Sequence, residues 1–135
     1  MGITLSSDGN FAYVTGYHGA SLRVFSRDTG TGALTHMDTH RSGSGLLDFY
    51  DKMQFPVDVL LSPDGNHLYV SAFQGNILAF NRDSGTGQLT TLQGVYSDGN
   101  NGNEGLSGAY GLSISDDGNF IYVTGFYENS VAVYR

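Results

Sequence analysis

Apolar and polar residues alternate along most of this chain, and one ten-residue form of the alternation is written three times. Leu5-Ser6-Ser7-Asp8-Gly9-Asn10-Phe11-Ala12-Tyr13-Val14 returns as Leu61-Ser62-Pro63-Asp64-Gly65-Asn66-His67-Leu68-Tyr69-Val70. It returns again as Ile114-Ser115-Asp116-Asp117-Gly118-Asn119-Phe120-Ile121-Tyr122-Val123. Period-two alternation predicts strands. Asp-Gly-Asn between two such runs predicts a tight turn, because Gly and Asn accept the positive φ that the turn needs. Each copy therefore reads as strand, turn, strand, and recurrence at about fifty residues marks one supersecondary unit repeated.

The first unit continues in the same style. Residues 2–5 and 11–15 are its first two strands. In the second, Phe11, Tyr13 and Thr15 share one face, and Ala12 and Val14 the other. Both faces are largely apolar, which predicts a sheet lying between two other layers. Residues 21–27 form a third strand. Asp28-Thr29-Gly30-Thr31-Gly32 is a second tight turn, and residues 34–40 form a more polar fourth strand. Four antiparallel strands with the outermost polar describe one β-propeller blade. The order repeats from Val57 to Tyr96, then from Gly111 until the chain stops at Val133-Tyr134-Arg135, after a third strand. The predicted fold is all-β: a β-propeller fragment of four-stranded antiparallel blades, two complete and a third with three strands. The units divide as 1–56, 57–110 and 111–135.

Composition narrows the function more than the fold. Twenty glycines, two prolines, nine tyrosines and eight phenylalanines suit a turn-rich β protein rather than a disordered one. With no cysteine, disulfides and cysteine-ligated metals are excluded, and the compartment stays open. A net charge of −7, with Lys52 the only lysine, argues against a nucleic-acid partner. No apolar run approaches the roughly 18 residues of a membrane helix, so no membrane partner is expected. Met1 stands almost directly on a strand, and the chain reads as a fragment opened at a repeat boundary.

Phe80-Asn81-Arg82-Asp83-Ser84-Gly85-Thr86-Gly87-Gln88-Leu89-Thr90 mirrors Phe25-Ser26-Arg27-Asp28-Thr29-Gly30-Thr31-Gly32-Ala33-Leu34-Thr35. Together with Ser-Pro-Asp-Gly before an apolar-Tyr-Val strand, and with Asn103-Glu104-Gly105-Leu106-Ser107-Gly108-Ala109 entering the third unit, this resembles the repeats of the lactonase-type seven-bladed β-propellers, the family of 6-phosphogluconolactonase. The resemblance covers nearly the whole chain and implies about 2.75 blades of such a propeller. It also implies an extracytoplasmic setting. Its motifs are turn and packing residues, so they fix the fold and carry over no catalytic residue.

Several stretches invite a chemical reading. Gly-Thr-Gly at 30–32 and 85–87 lacks the following helix that a phosphate loop needs and is read as a turn. Arg27-Asp28 and Arg82-Asp83 are read as turn-bracing pairs. His36, Asp38 and His40 alternate on one face of a strand, a spacing that offers two imidazoles and a carboxylate to a metal. An outer, solvated polar edge is the reading adopted, and no metal site is expected. His67, where the other units have Phe11 and Phe120, is a partly buried packing residue. Asp98-Gly99-Asn100-Asn101-Gly102-Asn103-Glu104 departs from a calcium loop in the places of its Gly and Glu and is read as a polar connection. No cofactor is expected.

The connections between second and third strands differ from unit to unit: Gly16-Tyr17-His18-Gly19-Ala20, Ala72-Phe73-Gln74-Gly75 and Gly125-Phe126-Tyr127-Glu128-Asn129. The inter-blade connections differ more. Both sets emerge on one face of an up-and-down blade, and function on repeat scaffolds sits where the loops vary. The ligand-face candidates are His18, Arg41, Asp58, Gln74 and Glu128. Asp58 stands where the other units have Gly2 and Gly111. It reads either as a group at the mouth of the channel or as a cap on the turn after Pro56. The expected function is a binding or scaffold module presenting this face to a small molecule or protein. The alternative, implied by the resemblance, is hydrolysis of a sugar lactone by water activated at a carboxylate or histidine, complete only in a longer or oligomeric propeller. Open end blades, with Phe11, Tyr13, Tyr122 and Val123 or their opposite sides, predict self-association.

Overall fold

The computed structural model describes residues 1–43, 52–99, 102 and 104–135. These form three antiparallel sheets. Blade 1 holds β1 (Ile3–Leu5), β2 (Phe11–Gly16), β3 (Ser21–Arg27) and β4 (Leu34–Arg41), in the order β1-β2-β3-β4. Blade 2 holds β5 (Pro56–Leu61), β6 (His67–Ala72), β7 (Asn76–Arg82) and β8 (Leu89–Ser97) in the same order. Blade 3 holds β9 (Ala109–Ile114), β10 (Ile121–Gly125) and β11 (Ser130–Tyr134), which leaves β11 at an edge. The innermost strands β1, β5 and β9 stand side by side. The architecture is the expected one: two four-stranded blades and three strands of a third.

The thrice-written motif builds one turn three times. In blade 1 the Asp8 carboxylate accepts the Ser6 hydroxyl and the Asn10 N–H at 3.0 Å, while Ser6 Oγ accepts the Phe11 N–H at 3.0 Å. Asp64 with Ser62, and Asp117 with Ser115, repeat these bonds. Gly9, Gly65 and Gly118 sit at φ 75°, 73° and 73°, which a Cβ would disfavour. The β3–β4 and β7–β8 turns use the aspartates differently. Asp28 accepts the N–H groups of Gly30 and Thr31, both at 2.8 Å, and Asp83 those of Gly85 and Thr86. The arginines beside them do not brace the same turns. Arg27 Nη1 reaches back across the sheet to the carbonyl of Gly9 at 3.1 Å, and Arg82 Nη1 to that of Gly65 at 2.7 Å.

Blades stack face against face. Tyr13, Leu22 and Val24 of blade 1 close on Leu68, Val70, Leu78 and Phe80 of blade 2, with Met53 between them. Tyr13 and Phe80 are fully buried, each worth roughly 1.5–3 kcal/mol of transfer free energy. At the rim of this interface the Tyr13 hydroxyl donates to Gly87 O at 2.7 Å and accepts Arg82 Nε–H. The guanidinium carbon lies 5.4 Å from the Phe11 ring centre and 5.5 Å from that of Tyr13. Gly87 has no alternative there. A Cβ would stand 2.3 Å from the Phe11 ring, and φ is +76°. Blade 3 closes on blade 2 through Ile77, Leu106, Ala109, Val123 and Ala132.

The open faces differ from the expectation in detail. Phe11 packs against the core between blades 1 and 2, and Tyr13 and Val123 are buried. Exposed apolar residues on these end faces include Ile3 and Leu5 on the outer side of blade 1 and Tyr122, Val131 and Val133 on that of blade 3. Among the described residues no helix is long and apolar enough to cross a membrane.

The turn aspartates make stability depend on pH. Ser hydroxyls hold Asp8, Asp64 and Asp117 below the ordinary aspartate range, and backbone N–H groups do the same for Asp28 and Asp83. A folded-state pKa below the unfolded one contributes stability that is complete above the unfolded value, about 3.9, and is lost as pH falls through the folded value. The urea midpoint is therefore expected to drop steeply below about pH 4. The triple variant Asp8→Asn, Asp64→Asn, Asp117→Asn should have a lower midpoint at pH 7 and a flatter acid limb.

Candidate functional site

The variable connections differ in sequence and agree in conformation. Each ends, just before the third strand, on a residue of positive φ: Ala20 at 42°, Gly75 at 88° and Asn129 at 50°. In blades 2 and 3 the aromatic of the connection is held by the backbone. Phe73 N donates to Phe55 O at 3.0 Å, and Phe126 N to Gly108 O at 3.0 Å. Phe55 and Gly108, with φ 53° and 69°, each precede an innermost strand. The turns and the entries to the inner strands are thereby locked together at one end of the blades.

This places aromatic rings in contact across blade boundaries. Phe55, entering blade 2, lies 5.1 Å from Tyr17 of blade 1, whose ring also meets His18 edge-on at 5.1 Å. Tyr110, entering blade 3, lies 6.4 Å from Phe73 of blade 2. Phe126 and Tyr127 close the group, 5.9 and 5.3 Å from Phe73 and 5.4 Å from each other. Tyr110 is 50%, Phe126 63% and Tyr127 64% exposed, so this is a surface shelf and not a core. Sequence reasoning singled out polar residues of these loops and passed over the aromatics. The signal was present, because Tyr17, Phe73 and Phe126 hold the same place in three otherwise unlike connections.

Asp58 does something the sequence did not anticipate. Its Oδ1 accepts the Val59 N–H at 2.9 Å and its Oδ2 accepts the Leu112 N–H of β9 at 3.0 Å. On the other side it lies against Gly2, where a Cβ would stand 2.6 Å from Oδ1. Asp58 thus ties the inner strand of blade 2 to that of blade 3 and leaves room in blade 1 only for glycine. A row of hydroxyls works with it. Thr15, Ser71 and Thr124 accept the N–H of Gly2 at 2.7 Å, Asp58 at 3.2 Å and Gly111 at 2.9 Å. Thr15 then donates to Val57 O at 3.1 Å, and Ser71 to Tyr110 O.

The other candidates stand at the same end of the blades without forming one cluster. His18 and Gln74 are exposed on their turns. Arg41, exposed, ends β4 opposite Ser21. Glu128 lines a shallow depression with Asp98, Glu104 and Ser130. Asp98 also accepts the Leu106 N–H at 3.0 Å. Asn100, Asn101 and Asn103 of the acidic stretch lie outside the described residues. A cavity of about 170 Å³ between blades 2 and 3, lined by Tyr69, Tyr96, Asn119 and Tyr134, sits away from this face.

The triad of His36, Asp38 and His40 is broken by a bulge. Register shifts between Val24 and Phe25, so that Val24 pairs with Asp38 but Phe25 with His36. His36 therefore turns to the face opposite His40, where Nε2 meets Thr39 Oγ1 at 2.8 Å and the ring packs edge-on against Phe25. His40 stays beside Asp38, at 3.6 Å, and is buried rather than solvated. Burial lowers its pKa, against the pull of Asp38. Among the described residues no group of three or more His, Asp or Glu side chains is placed to hold a metal ion. His67 is half-buried, as expected of a packing residue.

The fold agrees with what the chain is similar to. Residues 2–102 match the family described as lactonase, 7-bladed beta-propeller, and the chain belongs to that family. No curated protein matches. Among solved structures, a candidate 6-phosphogluconolactonase from Bacteroides fragilis superposes with a TM-score of 0.76 at 24% identity, over 98% of this chain and 33% of its own. The periplasmic gluconolactonase PpgL of Pseudomonas aeruginosa gives 0.73 at 26%, over 97% and 34%. A chain of a mitotic checkpoint complex gives 0.69 at 14%, over 99% and 35%. The chain spans about a third of the length of these structures.

The geometry at Asp58 separates a structural role from a ligand-facing one. Asp58→Ala strips the Leu112 N–H of its partner and is expected to cost about 1–3 kcal/mol in urea denaturation. An unchanged midpoint would return Asp58 to the list of free ligand groups.

Proposed function

We propose that the chain is a propeller segment whose variable loop face binds a ligand or partner. One observation carries this reading: blades 2 and 3 build one shelf from Phe73, Tyr110, Phe126 and Tyr127, the last three exposed, and backbone hydrogen bonds hold Phe73 and Phe126 in place. Exposed, contiguous and pre-positioned apolar surface is characteristic of recognition sites.

A second reading has family membership behind it. Lactone hydrolysis is supported by the match to the lactonase family and by the gluconolactonase named among the structural neighbours. It calls for a carboxylate or histidine to activate water and a cation to hold an acidic substrate, drawn from more blades than these three. An extracytoplasmic setting is supported by the periplasmic origin of that neighbour. The two readings part in one experiment. A panel of sugar lactones is offered to the purified chain, with Tyr127→Ser and Glu128→Gln as controls. No turnover is the expected result. Turnover that either change abolishes would put the chemistry in this chain.

Self-association is the third element of the proposal. Tyr122 and Thr124 of blade 3 hold the places of Tyr13 and Thr15, and Arg27 and Gly32 of blade 1 those of Arg82 and Gly87. A second copy docked head to tail would remake the contact between blades 1 and 2, and so cover Ile3, Leu5, Val131 and Val133. Sedimentation at micromolar concentration is expected to show dimers or larger species that Tyr122→Asp dissociates. A monodisperse folded monomer would overturn this.

A further inference from the structure

The aromatic shelf has an acidic border, and the two are physically joined. Asp98 N donates to Gly75 O at 2.8 Å, which fixes that carboxylate beside the turn carrying Phe73. A Cβ on Gly75 would lie 3.1 Å from Asp98 Cβ, so the approach is close. Glu128 directly follows Tyr127 and shares the depression with Asp98 and Glu104, whose remaining lining is Gly99, Gly105, Ser130 and Val131. That lining holds three carboxylates and no cation. The chain as a whole carries 13 acidic residues against six Lys and Arg. An aromatic face attracts a cation through its quadrupole, and a neighbouring carboxylate adds to that attraction without covering the ring.

From this juxtaposition we infer that the shelf is a docking surface for a basic, extended segment of a partner protein. One arginine or lysine lies over Phe126 and Tyr127, and a second basic side chain sits in the depression beside Glu128 and Asp98. The shelf runs from the turn of blade 2 to the turn of blade 3, which suits a strand of peptide better than a single small cation. A neutral apolar partner would gain nothing from the carboxylates. An acidic or phosphorylated one would be repelled by them. The inference rests on reading this face as the ligand face and adds the chemistry of the occupant.

The test uses the full chain and a fluorescein-labelled eight-residue peptide of alternating glycine and arginine, followed by fluorescence anisotropy. The reference is the same peptide with citrulline, which keeps the shape and loses the charge. Citrulline is expected to weaken binding at least about fivefold, and Tyr127→Ser or Phe126→Ser to do the same. Glu128→Gln should weaken binding less and flatten its dependence on salt. Leu34→Ser, exposed on blade 1 at the β3–β4 turn, should leave it unchanged. Equal binding of the two peptides, or undiminished binding by both shelf variants, overturns the inference. So does an oligomer that the shelf variants dissociate and the peptide does not, because a second copy would then be the occupant. A sugar lactone that binds the shelf and excludes the peptide overturns the basic partner while leaving the face a ligand surface.

Discussion

Each sheet of this protein is apolar on both sides, and that constraint governs everything else in it. A blade with Leu68, Val70, Leu78 and Phe80 on one face and Ile77 and Ala79 on the other can bury itself only between two neighbours. Burial alone would let blades slide, since it has no direction. Position comes from a small polar set at the ends of the strands. The Thr15 and Ser71 hydroxyls and the Asp58 carboxylate pin the inner strands, and Tyr13 with Arg82 pins the interface farther out. The loops inherit their placement from that frame. Tyr17 and Phe73 meet Phe55 and Tyr110 at the entries to the next blades because the strands beneath them are held in register.

Much of the frame was legible in the sequence, for a physical reason. The Ser-x-Asp-Gly-Asn turn is local: its bonds close within six residues, so the residues that form it also announce it. Strand number, order and the polar outer strand followed from there. What stayed hidden was non-local or broke a period. Alternation puts His36, Asp38 and His40 on one face, but a bulge opposite Val24 and Phe25 inserts one residue and sends His36 to the other. Arg82 was read beside its neighbour Asp83, whereas its partners are Gly65, seventeen residues away, and Tyr13, sixty-nine away. Asp58 reads as a group at the channel mouth or a cap on its turn until Leu112 N is seen in front of it.

The candidate site divides in the same way. The face was chosen by its variable loops, a choice that rests on topology. The residues within it were chosen by their chemistry. Charged and imidazole side chains drew notice, while the groups that share contacts are rings, and a ring in a turn is easily taken for stray packing. Exposure decides the matter: Phe126 and Tyr127 face water where a packing residue would not. Likeness to a gluconolactonase and to a chain of a checkpoint complex, on one architecture, shows that this fold does not by itself fix an activity.

The repeated tyrosine and hydroxyl on one side of every blade, and the arginine and glycine on the other side of the first two, have a genetic consequence. The residues of the contact between blades 1 and 2 recur by place within the unit. A duplicated or transposed blade would therefore arrive already carrying its side of that contact. Lengthening or reordering such a gene by whole repeats would keep these residues in place and leave the join between Asp58 and Gly2 as the one to readjust. The loops above them, freed from holding the ring together, can drift toward new partners one blade at a time.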